Sequence, residues 1–303
     1  MAEADAYKDK SNRFSWVEVF TSLVKDSALF VARYIMKKFD YNNKIAIVTG
    51  ATSGIGYEIA RTLIQKYNCK VYGIARSVKK LEALREELGP YNFMCCTMDV
   101  TDKGSWEKLK IYFDTVKEEP DILINCAGIL PKFSRVANTS IEDIERAMDV
   151  NFMSCVYSCK IIMPIIKKGG MVINVSSASA LCSFGGIGAY SASKGALLRF
   201  SEALACEERD ISVSCVMPGF VKTDIMKEQS VAQKDAKLIN RVSADPQKTV
   251  KKLLRRARKR KKRIVLGSDG HLMSLMYRLF PRLAPSFFTK TIRKAKLEMF
   301  KEV

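Results

Sequence analysis

The chain has 303 residues, 48% of them hydrophobic and 27% charged, enough apolar material to bury the core of a large α/β domain and too much for a disordered chain. Lys and Arg outnumber Asp and Glu by 51 to 32, a formal net charge of +19, which points to an acidic partner such as a phosphate group, an anionic lipid or a nucleic acid. His271 is the only histidine, which argues against histidine-based metal sites and histidine-driven nucleophilic triads.

The nine cysteines are odd in number and include no CxxC pair, and several lie in apolar runs such as ILINCAG and VSCVMPG. Buried thiols in a reducing compartment, and hence a cytoplasmic location, are expected rather than disulfides. Cys155 and Cys159 share a helix face at i, i+4, but no other ligand accompanies them and no metal site is expected. The first 40 residues lack the unbroken apolar run of a signal peptide, and no stretch reaches the ~20 apolar residues that span a bilayer.

Residues 1–40 read as a helical extension. Within it, 13–39 form one amphipathic helix with Trp16, Phe20, Leu23, Val24, Val31, Tyr34 and Ile35 along its apolar stripe. That helix packs on its own domain or a partner subunit, or lies on a membrane surface. Residues 41–270 alternate apolar runs with helical patterns. Strands are expected at KIAIVTG (44–50), KVYGIAR (70–76), NFMCCTMDV (92–100), DILINCAG (121–128), GMVINVSS (170–177), ISVSCVMPG (211–219) and RIVLG (263–267), with helices between them that include 56–67 and 78–89. Continuous apolar strands separated by helices indicate an α/β fold with a parallel sheet covered on both faces. Residues 271–303 read as an apolar and basic C-terminal extension.

The first strand runs into TGATSGIG (49–56), where Gly50, Gly54 and Gly56 separate a strand from a helix. Glycines let the backbone turn tightly and approach a pyrophosphate, which the helix N-terminus then attracts. The second strand ends Gly73-Ile74-Ala75-Arg76-Ser77, with no acid until Glu82 to bind a ribose 2′-hydroxyl. Arg76 suits a 2′-phosphate, and Ser77 offers a further hydrogen bond, so NADP(H) is the expected cofactor. In YSASK (190–194), Tyr190 and Lys194 share a helix face at i, i+4. An ammonium beside a phenol favours the phenolate and makes Tyr190 a usable acid/base. Ser177, thirteen residues before Tyr190 at a strand end, is placed to hold the same substrate oxygen.

Taken together, TGATSGIG (49–56), MDV (98–100), NCAG (125–128), Asn151 in MDVNF, VSS (175–177), YSASK (190–194) and PGFVKT (218–223) resemble the short-chain dehydrogenase/reductase family. The resemblance covers residues 44 to about 226 without a gap. It implies a doubly wound, seven-stranded parallel sheet of the Rossmann type and reversible hydride transfer between NAD(P) and an alcohol or ketone. It also implies roles. Tyr190 is the general acid/base, Lys194 stabilises its phenolate and binds the nicotinamide ribose, Ser177 orients the substrate oxygen, and Asn151 holds a water that links Lys194 to solvent. Gly50, Ser53, Gly54, Ile55 and Gly56 form the pyrophosphate turn. Asp99 and Val100 meet the adenine, Asn125, Ala127 and Gly128 line the cofactor, and Pro218, Gly219 and Thr223 close over the carboxamide. A homodimer or homotetramer is expected.

The substrate is expected under residues 220–245, with Ile129, Leu130, Phe133, Leu181, Phe184, Ile187 and Met226 as apolar lining. A hydrophobic ketone or alcohol, such as a steroid or a keto-lipid, fits them, although many of these residues serve equally well as core. Between Lys248 and Arg263, eleven of sixteen residues are Lys or Arg. The run is either a solvated helix face or a patch for an anionic membrane surface. Nucleic acid is not expected, because no aromatic residues interleave the run to stack bases. The rival to a reductase is a non-catalytic NADP-binding scaffold whose basic segment holds an acidic partner or membrane.

Overall fold

The structure is a computed structural model that describes residues 38–226, 243–295 and 300–301. The expected helix at 13–39 lies almost wholly outside the described residues, as does most of the expected substrate cover. Seven strands form one sheet in the order β3-β2-β1-β4-β5-β6-β7. They are β1 (Ile45–Thr49), β2 (Lys70–Ala75), β3 (Phe93–Thr97), β4 (Ile122–Asn125), β5 (Met171–Val175), β6 (Ser212–Pro218) and β7 (Arg263–Leu266). Every pairing is parallel, with Ala46 opposite both Val71 and Ile122 in the central register. The order reverses between β1 and β4, which opens a crevice at the carboxyl ends of the strands.

Helices cover both faces, and the two-residue period of each strand decides which side chain meets which layer. Ala46 and Val48 of β1 face α1 (Gly54–Tyr67), α2 (Val78–Leu88) and α7 (Pro246–Ala257), whose Ile59, Leu63, Leu81, Leu84, Val250 and Leu253 share one cluster with them. Ile47, between them in sequence, joins the opposite cluster with Trp106, Leu109 and Phe113 of α3 (Lys103–Val116). The same layer takes Cys159 and Ile162 of α5 (Ser154–Ile162) and Leu204 of α6 (Gly188–Glu207). The short α4 (Ile141–Met148) precedes α5.

Several expected boundaries move. The third strand ends at Thr97 rather than Val100, because the Asp99 carboxylate accepts the backbone N–H and the hydroxyl of Thr101 and turns the chain. Helix α1 begins at Gly54, two residues before the expected start. Phe39, placed by the sequence in the N-terminal extension, is buried in the core, and its N–H donates to the Arg258 carbonyl. The expected boundary at residue 270 falls inside α8 (Ser268–Leu279), which follows β7 directly, and α9 (Ala284–Lys294) comes after it.

The basic run is not one solvated face. Arg256 donates to the Val265 carbonyl, Arg260 donates to the Gly169 carbonyl and lies over the Phe39 ring, and Arg263 pairs with Glu202. Lys248, Lys251, Lys252, Arg255, Lys259, Lys261 and Lys262 remain exposed. No described helix is long and apolar enough to cross a membrane.

Candidate active site

A cleft of about 320 Å³ lies at the carboxyl ends of the central strands. One wall is the turn between β1 and α1, through Gly50, Ser53, Gly54, Ile55 and Gly56. Gly50 has φ +66° and Gly54 φ +54°, left-handed values that favour glycine. A Cβ on Gly56 would overlap the Gly50 carbonyl, and one on Gly54 would come within 3.0 Å of the Thr223 side chain. At these three glycines the wall is therefore bare backbone. Ser53 N-caps α1 without a side-chain hydrogen bond, which leaves first-turn N–H groups and the positive helix end to an anion. A dinucleotide pyrophosphate fits this cradle.

The segment after β4 continues the wall. Ala127 and Gly128 line the cleft, and the N–H groups of Cys126 and Ala127 both donate to Thr49 Oγ1 at 2.9 Å. At Gly128 a Cβ would meet Asn151 Oδ1 at 3.0 Å and Lys194 Nζ at 3.2 Å, so a larger residue would push on both side chains. Asn125 departs from its expected role. Its side chain is buried in the interior, where it donates to Asn174 Oδ1 and accepts from Ser158, both at 2.8 Å. It braces β4 against β5 and α5 instead of lining the cleft.

Ser177, Tyr190 and Lys194 line the same cleft. Ser177 follows β5 and caps a short 3-10 turn, its Oγ accepting the Ser179 N–H at 3.2 Å. Tyr190 and Lys194 stand one turn apart on α6. The Lys194 ammonium is buried, donates to the Val175 carbonyl at 3.1 Å and lies 6.0 Å from the centre of the Tyr190 ring. Asn151 sits in a π-helical turn (Asp149–Met153) between α4 and α5, a widened geometry common at functional sites. Its amide donates to the Ile129 carbonyl and to Ser193 Oγ, and accepts the Ile129 N–H. Ser193 in turn donates to the Tyr190 carbonyl. Asn151 thus clamps the loop after β4 to α6.

Two residues expected to meet the adenosine end of the cofactor lie in a separate groove. Arg76 and Asp99 lie in it together with Glu142, Glu145, Arg146 and Asp149. Ser77 Oγ is already used, accepting the Lys80 N–H as the N-cap of α2. Val100 is buried, and its carbonyl accepts the Trp106 indole N–H.

At the other end the cleft is apolar. Ile129, Leu130, Phe133, Phe184 and Ile187 line it as expected. Leu181 does not; it packs against the cluster of Leu198, Cys215 and Met217. The Met226 side chain lies outside the described residues. Met273 of α8 and Ile225, which the sequence did not single out, complete the lining.

Asp269 was also missed. Its Oδ2 accepts the Phe220 N–H at 2.6 Å, and a Cβ on Gly219 or on Gly267 would overlap its carboxylate. The carboxylate thus nests over two glycines and fixes the Pro218–Gly219 turn, which lines the cleft with Thr223. The only sequence signal is that pair of glycines at the ends of neighbouring strands with an acid just after the second.

Burial pushes the thiol of Cys126, which lines the cleft, up to about 12, so it stays protonated and is no nucleophile. No group of three or more His, Cys, Asp or Glu that would hold a metal occurs among the described residues.

A family model described as short chain dehydrogenase matches residues 44–234. The chain is 33% identical over 195 residues to the benzil reductase ((S)-benzoin forming) IRC24 of Saccharomyces cerevisiae, spanning 61% of this chain and 74% of that one. It is 34% identical over 199 residues to the 3-oxoacyl-[acyl-carrier-protein] reductase FabG of Escherichia coli, spanning 64% of this chain and 80% of that one. The solved YIR035C short chain dehydrogenase/reductase of S. cerevisiae superposes with a TM-score of 0.66 at 27% identity, covering 76% of this chain and 98% of that one. The protein belongs to the short-chain dehydrogenase family. It is an oxidoreductase, and its fold is one that binds a nicotinamide cofactor.

Proposed function

We propose that this protein is an NADP(H)-dependent oxidoreductase that interconverts a hydrophobic ketone or aldehyde and its alcohol. The observation that carries the reading is the meeting of Ser177, Tyr190 and Lys194 with the glycine turn in one cleft whose far end is apolar. The bound nicotinamide supplies or takes up the hydride. Tyr190 gives its phenolic proton to the carbonyl oxygen in reduction and recovers it in oxidation. Ser177 donates a hydrogen bond to the same oxygen. The Lys194 ammonium, held by the Val175 carbonyl, offsets the charge left on Tyr190. The apolar end takes the body of the substrate and excludes water.

Arg76 at the end of β2, where no acid stands, supports NADP(H) over NAD(H). The names of the yeast and bacterial relatives, a benzil reductase and a 3-oxoacyl reductase, support an apolar carbonyl compound, the class that includes steroids and keto-lipids. Nine free cysteines support a reducing, cytoplasmic setting.

The test is NADPH consumption by the purified protein against a panel of aryl and long-chain ketones. Tyr190→Phe is expected to lose at least ~10²-fold in turnover, the scale of a positioned acid/base, while still binding NADPH. Near wild-type turnover in that variant overturns the catalytic assignment, and tighter binding of NADH than of NADPH overturns the cofactor assignment.

A further inference from the structure

Helices α8 and α9 have two faces of opposite use. Their inner faces support the substrate end of the cleft, which Met273 of α8 lines and behind which α9 packs. Met273 and Ala284 are buried with Leu130, Phe133, Phe184 and Ile187, and Thr289 Oγ1 accepts the Gly185 N–H at 2.9 Å. Their outer faces carry large apolar side chains into solvent. Leu272, Leu275 and Leu279 follow the i, i+3, i+7 spacing of one helix stripe. Phe280, Leu283 and Phe287 continue it round the corner, where the Leu283 N–H donates to the Phe280 carbonyl and the Phe287 N–H to the Leu283 carbonyl. Leu279 is 58% exposed, Leu283 65% and Phe287 49%. Apolar side chains massed this way mark an interaction surface.

The charge around the corner selects the partner. Arg278, Arg282, Lys290, Arg293 and Lys294 accompany these residues, and no acidic residue occurs from 270 to 295. A second copy docking through the same face would set like charges against each other. An anionic bilayer instead accepts the apolar side chains at the boundary of headgroup and acyl chain and the basic ones among the headgroups.

We propose that the α8–α9 corner is a docking surface for an anionic lipid bilayer, so that the apolar end of the cleft is built on the same helices that touch the lipid. The surface adds a location to the proposed reaction and does not depend on it: an apolar substrate dissolved in the lipid enters from the side of the cleft that the bilayer covers.

The experiment is co-sedimentation of the full chain with phosphatidylcholine vesicles with and without phosphatidylglycerol, at low and high salt. The wild type should sediment with the phosphatidylglycerol vesicles, less so at high salt. Leu279→Ser, Leu283→Ser and Phe287→Ser combined should bind roughly tenfold or more weakly, the scale of three partly inserted apolar side chains, with NADPH binding retained as the control for folding. Leu283→Trp, a single change at an exposed site, should shift its emission to the blue on anionic vesicles. No sedimentation of the wild type, wild-type binding by the triple variant, or an unshifted Leu283→Trp spectrum overturns the proposal. So does a triple variant that turns a dimer into a monomer in analytical ultracentrifugation, which makes the corner a subunit interface. Turnover of a soluble ketone by the triple variant separates failure of the surface from failure of the proposed reaction.

Discussion

The coupling between Gly219 and Asp269 gives a prediction that can be worked through from geometry. A Cβ at Gly219 would lie inside 3.0 Å of both carboxylate oxygens and the Cγ of Asp269, closer than real Cβ atoms come. The Asp269 side chain is the movable partner, so Gly219→Ala is relieved by rotating the carboxylate away. That rotation breaks its 2.6 Å bond from the Phe220 N–H, and a hydrogen bond to a charged group contributes about 1.5–3 kcal/mol. Gly219→Ala should therefore destabilise by about the same 1.5–3 kcal/mol, and Asp269→Ala by a similar amount, since both lose one bond. The double variant should cost about as much as either single variant, because the bond is lost only once; the coupling is then close to the whole single-variant effect. Urea unfolding of the four proteins measures this cycle. NADPH fluorescence should weaken in all three variants, since the turn they release lines the cleft. Additive losses in the double variant refute the idea that the carboxylate and the glycine act through one contact.

Arg76→Ala should weaken NADPH binding roughly ten- to hundredfold, the worth of its charge-assisted bonds to a 2′-phosphate, and leave NADH nearly unchanged; equal losses for the two cofactors would refute the assignment. Among the cysteines only Cys206 is exposed, and burial pushes the thiols of Cys96, Cys159 and Cys215 up to about 12. Labelling of the native protein with a disulfide reagent at pH 8 should therefore show one fast thiol, lost in Cys206→Ser. Several fast thiols would contradict the burial.

Local pattern carries the part of this protein that depends on neighbours in the chain. The order of strands and helices follows from apolar runs and helical spacing, so all seven strands were legible. The glycine turn at 49–56 needs only a strand, a helix start and backbone without Cβ atoms, all written in eight consecutive residues. Tyr190 and Lys194 share a face because a helix turns once in 3.6 residues. Placing Ser177 beside them took one more step, the parallel sheet that brings strand ends to one edge.

Tertiary structure decided what distant segments do to one another. Asn125 looks like a cofactor contact beside Ala127 and Gly128, yet its amide is taken by Asn174 and Ser158, which are 49 and 33 residues away. Asp269 reaches a turn 49 residues earlier, and Thr289 reaches Gly185 across 104 residues. Leu181 has the same apolar chemistry as Phe184 and Ile187 but packs against Leu198, Cys215 and Met217 instead of lining the cleft. The basic run at 248–263 reads as uniform charge. Helix α7, the turn after it and the start of β7 set Arg256, Arg260 and Arg263 against carbonyl oxygens, an aromatic ring and a carboxylate, while seven of the other basic residues stay exposed. In each case the residue type permits several partners, and the packing of elements far apart in the chain selects one. A buried polar group must find its hydrogen bond wherever the fold brings an acceptor within reach.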